Sequence, residues 1–205
     1  MSFSSCCRKT DRKKTEARTV FAGAGLLRAM FCTGFAARCL LVAALSAGPA
    51  QAASWRDDLP QAHLQGSAGL RWFGLKVYDA ALWSAAAPFD PAQPFALELT
   101  YQRSISRTRI VQTSIDEIRR LSEGRYSDQQ LQRWEADMAR AFIDVNEGDQ
   151  LTGVYLPGIG CRFYSRTRLL AEVRDAEFAR AFFAIWLDPR TRDTQLRNRL
   201  LGAEK

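Results

Sequence analysis

Cysteine and histidine are nearly missing from most of this chain. Of 5 cysteines, Cys6, Cys7, Cys32 and Cys39 precede residue 52, and only Cys161 follows it. The single histidine is His63. One cysteine forms no intramolecular disulfide, and one His with one Cys does not assemble the usual Cys/His zinc site. A Ser-His-Asp triad would have to use His63, but no nucleophile-elbow motif accompanies it, so it reads as a surface residue. Long apolar runs are absent too. None approaches the roughly 20 residues that cross a bilayer. No internal repeat or low-complexity stretch follows Ala53. Gly23-Ala24-Gly25 follows no strand pattern and is not a dinucleotide fingerprint. No metal and no cofactor is expected.

An excess of charge of one sign is also missing, despite a formal net charge of +7. Residues 1–52 carry 8 of the 29 bases and 2 of the 22 acids, which leaves 21 against 20 beyond them. The larger part is nearly neutral, and composition gives no reason to expect a nucleic-acid partner.

Present instead is a leader pattern over Met30 to Ala52. Arg38 supplies a positive flank, Cys39 to Ala47 an apolar core, and Ala50-Gln51-Ala52 a small-x-small cleavage site. This is the pattern of a secretory signal peptide. It predicts cleavage after Ala52, export to a bacterial periplasm and a mature chain of Ala53 to Lys205 with no transmembrane helix. No lipidation box precedes the cut. The basic segment before Met30 reads either as an extension ahead of a true start at Met30 or as a long n-region.

Residues 53–205 suit one domain with a core of its own. Ser67 to Trp83 predicts one or two strands, with Gly74 as a bend or bulge. Three prolines make Ala85 to Pro94 a loop. Phe95 to Tyr101 is the cleanest strand, with Phe95, Leu97, Leu99 and Tyr101 on one face. The period then becomes helical. Ser106 caps a helix to about Ser122 that Gly124 stops. Ser127 and Gln130 read as a capping box for a helix with Leu131, Trp134, Met138 and Phe142 on one stripe. Leu151 to Leu156, Cys161 to Tyr164 and Leu169 to Val173 predict an antiparallel meander. Asp175 caps an apolar helix ended by Pro189, and a short last helix carries Leu196, Leu200 and Leu201. Three strands, two helices, three strands and two helices favour an α+β fold, a sheet with helices on one face.

Four strings in this order carry a resemblance. They are Gly74 to Ala80 (GLKVYDA), Phe95 to Tyr101 (FALELTY), Leu151 to Gly158 (LTGVYLPG) and Glu177 to Leu187 (EFARAFFAIWL). Together they resemble the chalcone isomerase-like family, in its bacterial exported branch, over most of residues 64–201. The resemblance implies an open-faced β-sandwich-like fold, with a curved antiparallel sheet holding a pocket against the helices. The family holds ring-closing isomerases and non-catalytic fatty-acid binders. In the isomerases a Thr, a Tyr, an Asn and a late-helix Ser or Thr serve the cleft. These align with Phe73, with Arg109 or Ile110, with the region of Glu117, and with Ala179. None keeps the enzyme's residue type. The resemblance thus carries the fold and not the isomerase chemistry.

Intramolecular addition to a chalcone needs cations or donors around a phenolate and a developing enolate. Arg71, Lys76, Arg103, Arg107 and Arg109 offer charge, and Tyr78, Tyr101 and Tyr155 offer hydroxyls, but no spacing marks a catalytic set. Binding asks for less, an apolar slot with one anchoring cation. Arg103 continues the Phe95-Leu97-Leu99-Tyr101 face by strand period. Either it holds a carboxylate in bidentate fashion with an acyl chain along the stripe, or it leaves for solvent and pairs with an acid. The family's fatty-acid binders also use an Arg and a Tyr, although their Arg aligns nearer Glu98. Candidate ligand-binding residues are Arg103, Tyr101, Tyr78 and Arg71. The first expectation is a non-catalytic binder of a small amphipathic acid such as a fatty acid. The alternatives are a rearranged isomerase and a ligand-free envelope interaction protein.

Overall fold

The structure is a computed structural model and describes residues 54–203. The leader pattern of Met30 to Ala52 lies outside the described residues.

Six strands form one sheet in chain order, each antiparallel to the next. They are β1 (His63–Trp72), β2 (Leu75–Ser84), β3 (Phe95–Tyr101), β4 (Gln150–Leu156), β5 (Gly160–Ser165) and β6 (Leu169–Val173). The helices are α1 (Trp55–Asp58), α2 (Arg107–Ser122), α3 (Asp128–Ala141), α4 (Ala176–Leu187) and α5 (Thr194–Leu200). The expected α+β architecture holds, a curved open sheet with α2 to α5 packed on one face.

Local chemistry explains the element ends. The hydroxyls of Ser106 and Ser127 accept from the Arg109 and Gln130 backbone N–H groups, and the Asp175 carboxylate accepts from Glu177 and Phe178. Glu123 at φ 50° and Gly124 at φ 82° turn the chain out of α2 in left-handed conformations. Three expectations need correction. The Gln130 side chain does not close a capping box. It donates to Glu177 Oε2 at 2.8 Å and ties α3 to α4. Phe142 caps α3 instead of lying within it, with its N–H on the Met138 carbonyl. Gly74 is neither bend nor bulge within one strand. Phe73 (φ 48°) and Gly74 (φ 78°) are the two turn residues of a β1–β2 hairpin in which Trp72 faces Leu75.

The strand period sorts the sheet as the sequence implies. Phe95, Leu97, Leu99 and Tyr101 enter the main core with Ala80, Leu82, Phe163 and the α4 aromatics Phe178, Phe182, Phe183 and Trp186. The reverse face has a smaller cluster that the sequence reading missed. There Trp55 of α1 covers Ala96, Val154 and Tyr164.

Helix placement opens the fold. α4 lies on β4 and β5, α3 against β6, and α5 against β1 and β2. The main contacts of α2 are with α3 and α4 and not with the strands. α2 therefore stands away from β1–β3, and the space between remains open.

Candidate functional site

That space is a cavity of 840 Å³, within the range of small-molecule sites. Leu97, Leu99 and Tyr101 of β3 form its floor, continued by Leu70 and Tyr78. Phe182, Phe183 and Trp186 of α4 form one wall, and Ile110, Thr113 and Ser114 of α2 line the other side. Gly153 of β4 also faces the cavity. A Cβ there would stand 3.0 Å from the Phe183 ring, so glycine lets the ring lie close to the sheet.

Few polar groups interrupt this lining. The Trp186 indole N–H donates to the Tyr78 phenol oxygen at 2.9 Å. Tyr78 and Tyr101 meet edge to face, with centroids 6.1 Å apart. Burial pushes the Tyr78 phenol up to about 12, an effect the Trp186 N–H reduces and the Asp193 carboxylate reinforces. Burial also raises the Tyr101 phenol, and neighbouring Tyr78 adds to it. Both phenols keep their protons at neutral pH, so they serve as hydrogen-bond donors and not as bases.

Charge gathers at two places on the rim. On one, Glu117 of α2 is buried and accepts from Arg120 Nε at 2.9 Å and Arg192 Nε at 2.7 Å. Burial pushes this carboxyl up, but the two guanidinium hydrogen bonds outweigh it and hold it below the usual carboxylate range. On the other, Arg103 lines the cavity just past the end of β3 and stays exposed. It has no ion pair among the described residues. Its exposure to solvent is what the second sequence reading expects, and the acid partner of that reading is absent among the described residues.

The structure thus brings Arg103, Tyr101 and Tyr78 to one cavity. Arg71 is not brought there. Its guanidinium donates to the Gly74 carbonyl at 3.3 Å inside the hairpin, outside the lining. Lys76 pairs with Asp79 at 2.8 Å. Among positions aligned with the isomerase residues, Arg109, Ile110 and Glu117 line the cavity, Ala179 is fully buried, and Phe73 sits 89% exposed on the hairpin tip. His63 is exposed, as expected. Burial raises the Cys161 thiol, with the Asp175 and Asp137 carboxylates adding to the effect, which suits an inert strand residue.

Sequence reasoning missed the Glu117–Arg192 pair. Arg120, one turn further along α2, also donates to this buried acid. A signal existed, because Ile110, Ser114, Glu117 and Leu121 follow one helical stripe. Nothing near Arg192 in the sequence marks it as the partner.

Comparison with known proteins agrees with the geometry. An Arabidopsis thaliana fatty-acid binding protein has the same fold, with a TM-score of 0.54 at 11% identity, over 70% of this chain and 88% of that one. An uncharacterized protein of Haemophilus influenzae is 32% identical over 149 residues, covering 71% of this chain and 72% of its own length. Residues 54–202 match the family described as chalcone isomerase-like, and it is to this family that the chain belongs.

Proposed function

We propose that the protein is a non-catalytic binder of a small amphipathic carboxylic acid of the fatty-acid type. One observation carries this reading: an apolar cavity of 840 Å³ with the guanidinium of Arg103, which has no ion pair among the described residues, on its rim. The acyl chain lies along Leu97 and Leu99 toward Phe182 and Phe183. The carboxylate takes a bidentate contact from Arg103 and a hydrogen bond from the protonated Tyr101. Binding in the related fold of the Arabidopsis fatty-acid binding protein supports the choice of ligand class.

Native mass spectrometry of the purified protein, followed by solvent extraction, tests this function. A discrete adduct that extracts as a fatty acid is expected. A clean unliganded mass that added fatty acid leaves unchanged would refute it. The leader pattern supports a periplasmic site of action, and N-terminal sequencing of the protein from a periplasmic extract is expected to begin at Ala53.

A further inference from the structure

The β1–β2 hairpin presents Arg71-Trp72-Phe73-Gly74-Leu75-Lys76 at its tip. Trp72 is 60%, Phe73 89% and Leu75 55% exposed. A two-residue turn with both φ positive favours Asn and Gly, and a bulky aromatic there is a backbone outlier. Phe73 accepts that conformation at φ 48°, yet its ring packs edge on to Trp72 at 5.2 Å and stays largely in solvent. The folded domain gains little from Phe73. A partner outside the domain is the use for such a side chain.

Two further observations identify that partner. Trp72 also lines the cavity, so the tip and the mouth are continuous. Basic groups frame both. The Gln102 N–H donates to the Val77 carbonyl at 2.9 Å and sets Arg103 beside the hairpin's base. Arg109 lines the same cavity from the first turn of α2. Arg71, Arg103 and Arg109 have no carboxylate partner among the described residues. Exposed Trp and Phe with flanking cations suit the headgroup region of a bilayer, where aromatic rings settle and basic side chains meet anionic lipid. A second copy suits the tip less well. A patch of three apolar side chains falls far short of the roughly 1,000 Å² a stable interface buries, and the flanking arginines would face one another.

We propose that the Trp72-Phe73 tip is a membrane-surface anchor that dips into the headgroup region of an anionic phospholipid bilayer and sets the cavity mouth against it. Docking is independent of what the cavity holds. Uptake of an acid directly from the bilayer rests on the binding function proposed above.

Vesicle flotation of the purified protein, in the form recovered after expression, separates the two. The probes are vesicles of phosphatidylcholine alone and of phosphatidylcholine with phosphatidylglycerol at about three to one, a mixture rich enough in anionic lipid to attract basic residues. The wild type is expected to float with the anionic vesicles. Phe73→Asn is expected to lower partitioning about tenfold, the loss of one buried ring, while its thermal midpoint holds or rises, because Asn accepts the left-handed turn. Arg103→Gln is expected to lower partitioning about fivefold on anionic vesicles only. The variants share the wild type's first 70 residues, so the comparison reads the rim alone. Equal flotation of Phe73→Asn and wild type, or no flotation of either, overturns the anchor. So does a wild-type dimer in sedimentation velocity that Phe73→Asn abolishes. Equal binding to both vesicle types overturns the anionic preference. Phe73→Gly carries the same test if the Asn variant fails to fold. Fatty-acid binding in vesicle-free buffer reports separately on the cavity.

Discussion

The indole N–H of Trp186 donates to the phenol oxygen of Tyr78 across 2.9 Å, joining the end of α4 to β2 at the wall of the cavity. Trp186 is buried among Phe182 and its neighbours, and Tyr78 is the acceptor of its N–H. Tyr78→Phe keeps the ring and removes only the acceptor. It is expected to destabilise the fold by about 1–3 kcal/mol, the cost of a buried donor left unpaired. Urea unfolding checks this: the midpoint falls while the slope stays constant.

Arg103 and Arg71 lie at the same end of the sheet but in different roles. Arg103 lies on the cavity rim with no ion pair among the described residues, whereas Arg71 holds the Gly74 carbonyl. Arg103→Ala is expected to weaken binding of a fluorescent fatty acid by about ten- to a hundredfold, the worth of a charge-assisted contact. Arg71→Ala, titrated without vesicles, is expected to stay within about twofold, because surface changes away from a site are usually small. Similar losses in both would show that general positive charge, and not the rim position, carries the affinity.

Most of the fold is legible because period and caps agree along the chain. The stripe Phe95, Leu97, Leu99, Tyr101 and the caps Ser106, Ser127 and Asp175 each fix an element from a few residues. The four-residue α1 escapes because so short a helix shows no period, although Ser54 and Asp57 form a capping box. The site is less legible. Tyr78, Tyr101 and Arg103 follow from strand alternation, and strand pairing then brings Tyr78 opposite Tyr101. Arg71 stands between Leu70 and Trp72, which both line the cavity, so the same alternation turns it to the other face. Glu117 and Arg192 lie 75 positions apart, and only the packing of α2 beside the α4–α5 turn joins them.

Glu117 makes stability depend on pH in a predictable direction. Its carboxyl is held below its ordinary value in the folded state, because hydrogen bonds from Arg120 and Arg192 outweigh the burial that pushes it up. A depressed folded value stabilises the protein above the unfolded value of about 4.3, and that contribution is lost as pH falls through the folded value. Arg192 is 64% exposed in its side chain, so solvent screens part of the attraction. Glu117→Gln is expected to cost about 1–2 kcal/mol at pH 7. The gap from wild type is expected to shrink steadily below about pH 4.3. Thermal unfolding at a series of pH values measures the gap, and a constant difference down to acid pH would contradict the pairing.

Two glycines that accept no Cβ do so for different reasons, and the difference predicts different costs. At Gly153 a methyl would meet the Phe183 ring at 3.0 Å. That ring is held by Phe95, Tyr155 and Phe182, yet a side chain still gives by a few tenths of an ångström. Gly153→Ala is expected to cost about 1–2 kcal/mol, ordinary overpacking. At Gly66 a methyl would stand 1.9 Å from the Arg199 carbonyl oxygen and 2.7 Å from that of Leu200. Those oxygens belong to the last turn of α5, which packs on β1. Relief requires the whole helix end to move, and Leu196 and Leu200 are buried beneath it. Gly66→Ala is therefore expected to cost about 3 kcal/mol or more, at or beyond the upper end for overpacking. It is also expected to free α5 from the sheet, so hydrogen exchange should rise across Thr194–Leu200. In Gly153→Ala the same amides should stay protected. Equal costs in the two variants, or protection of α5 in both, would show that α5 does not rest on Gly66.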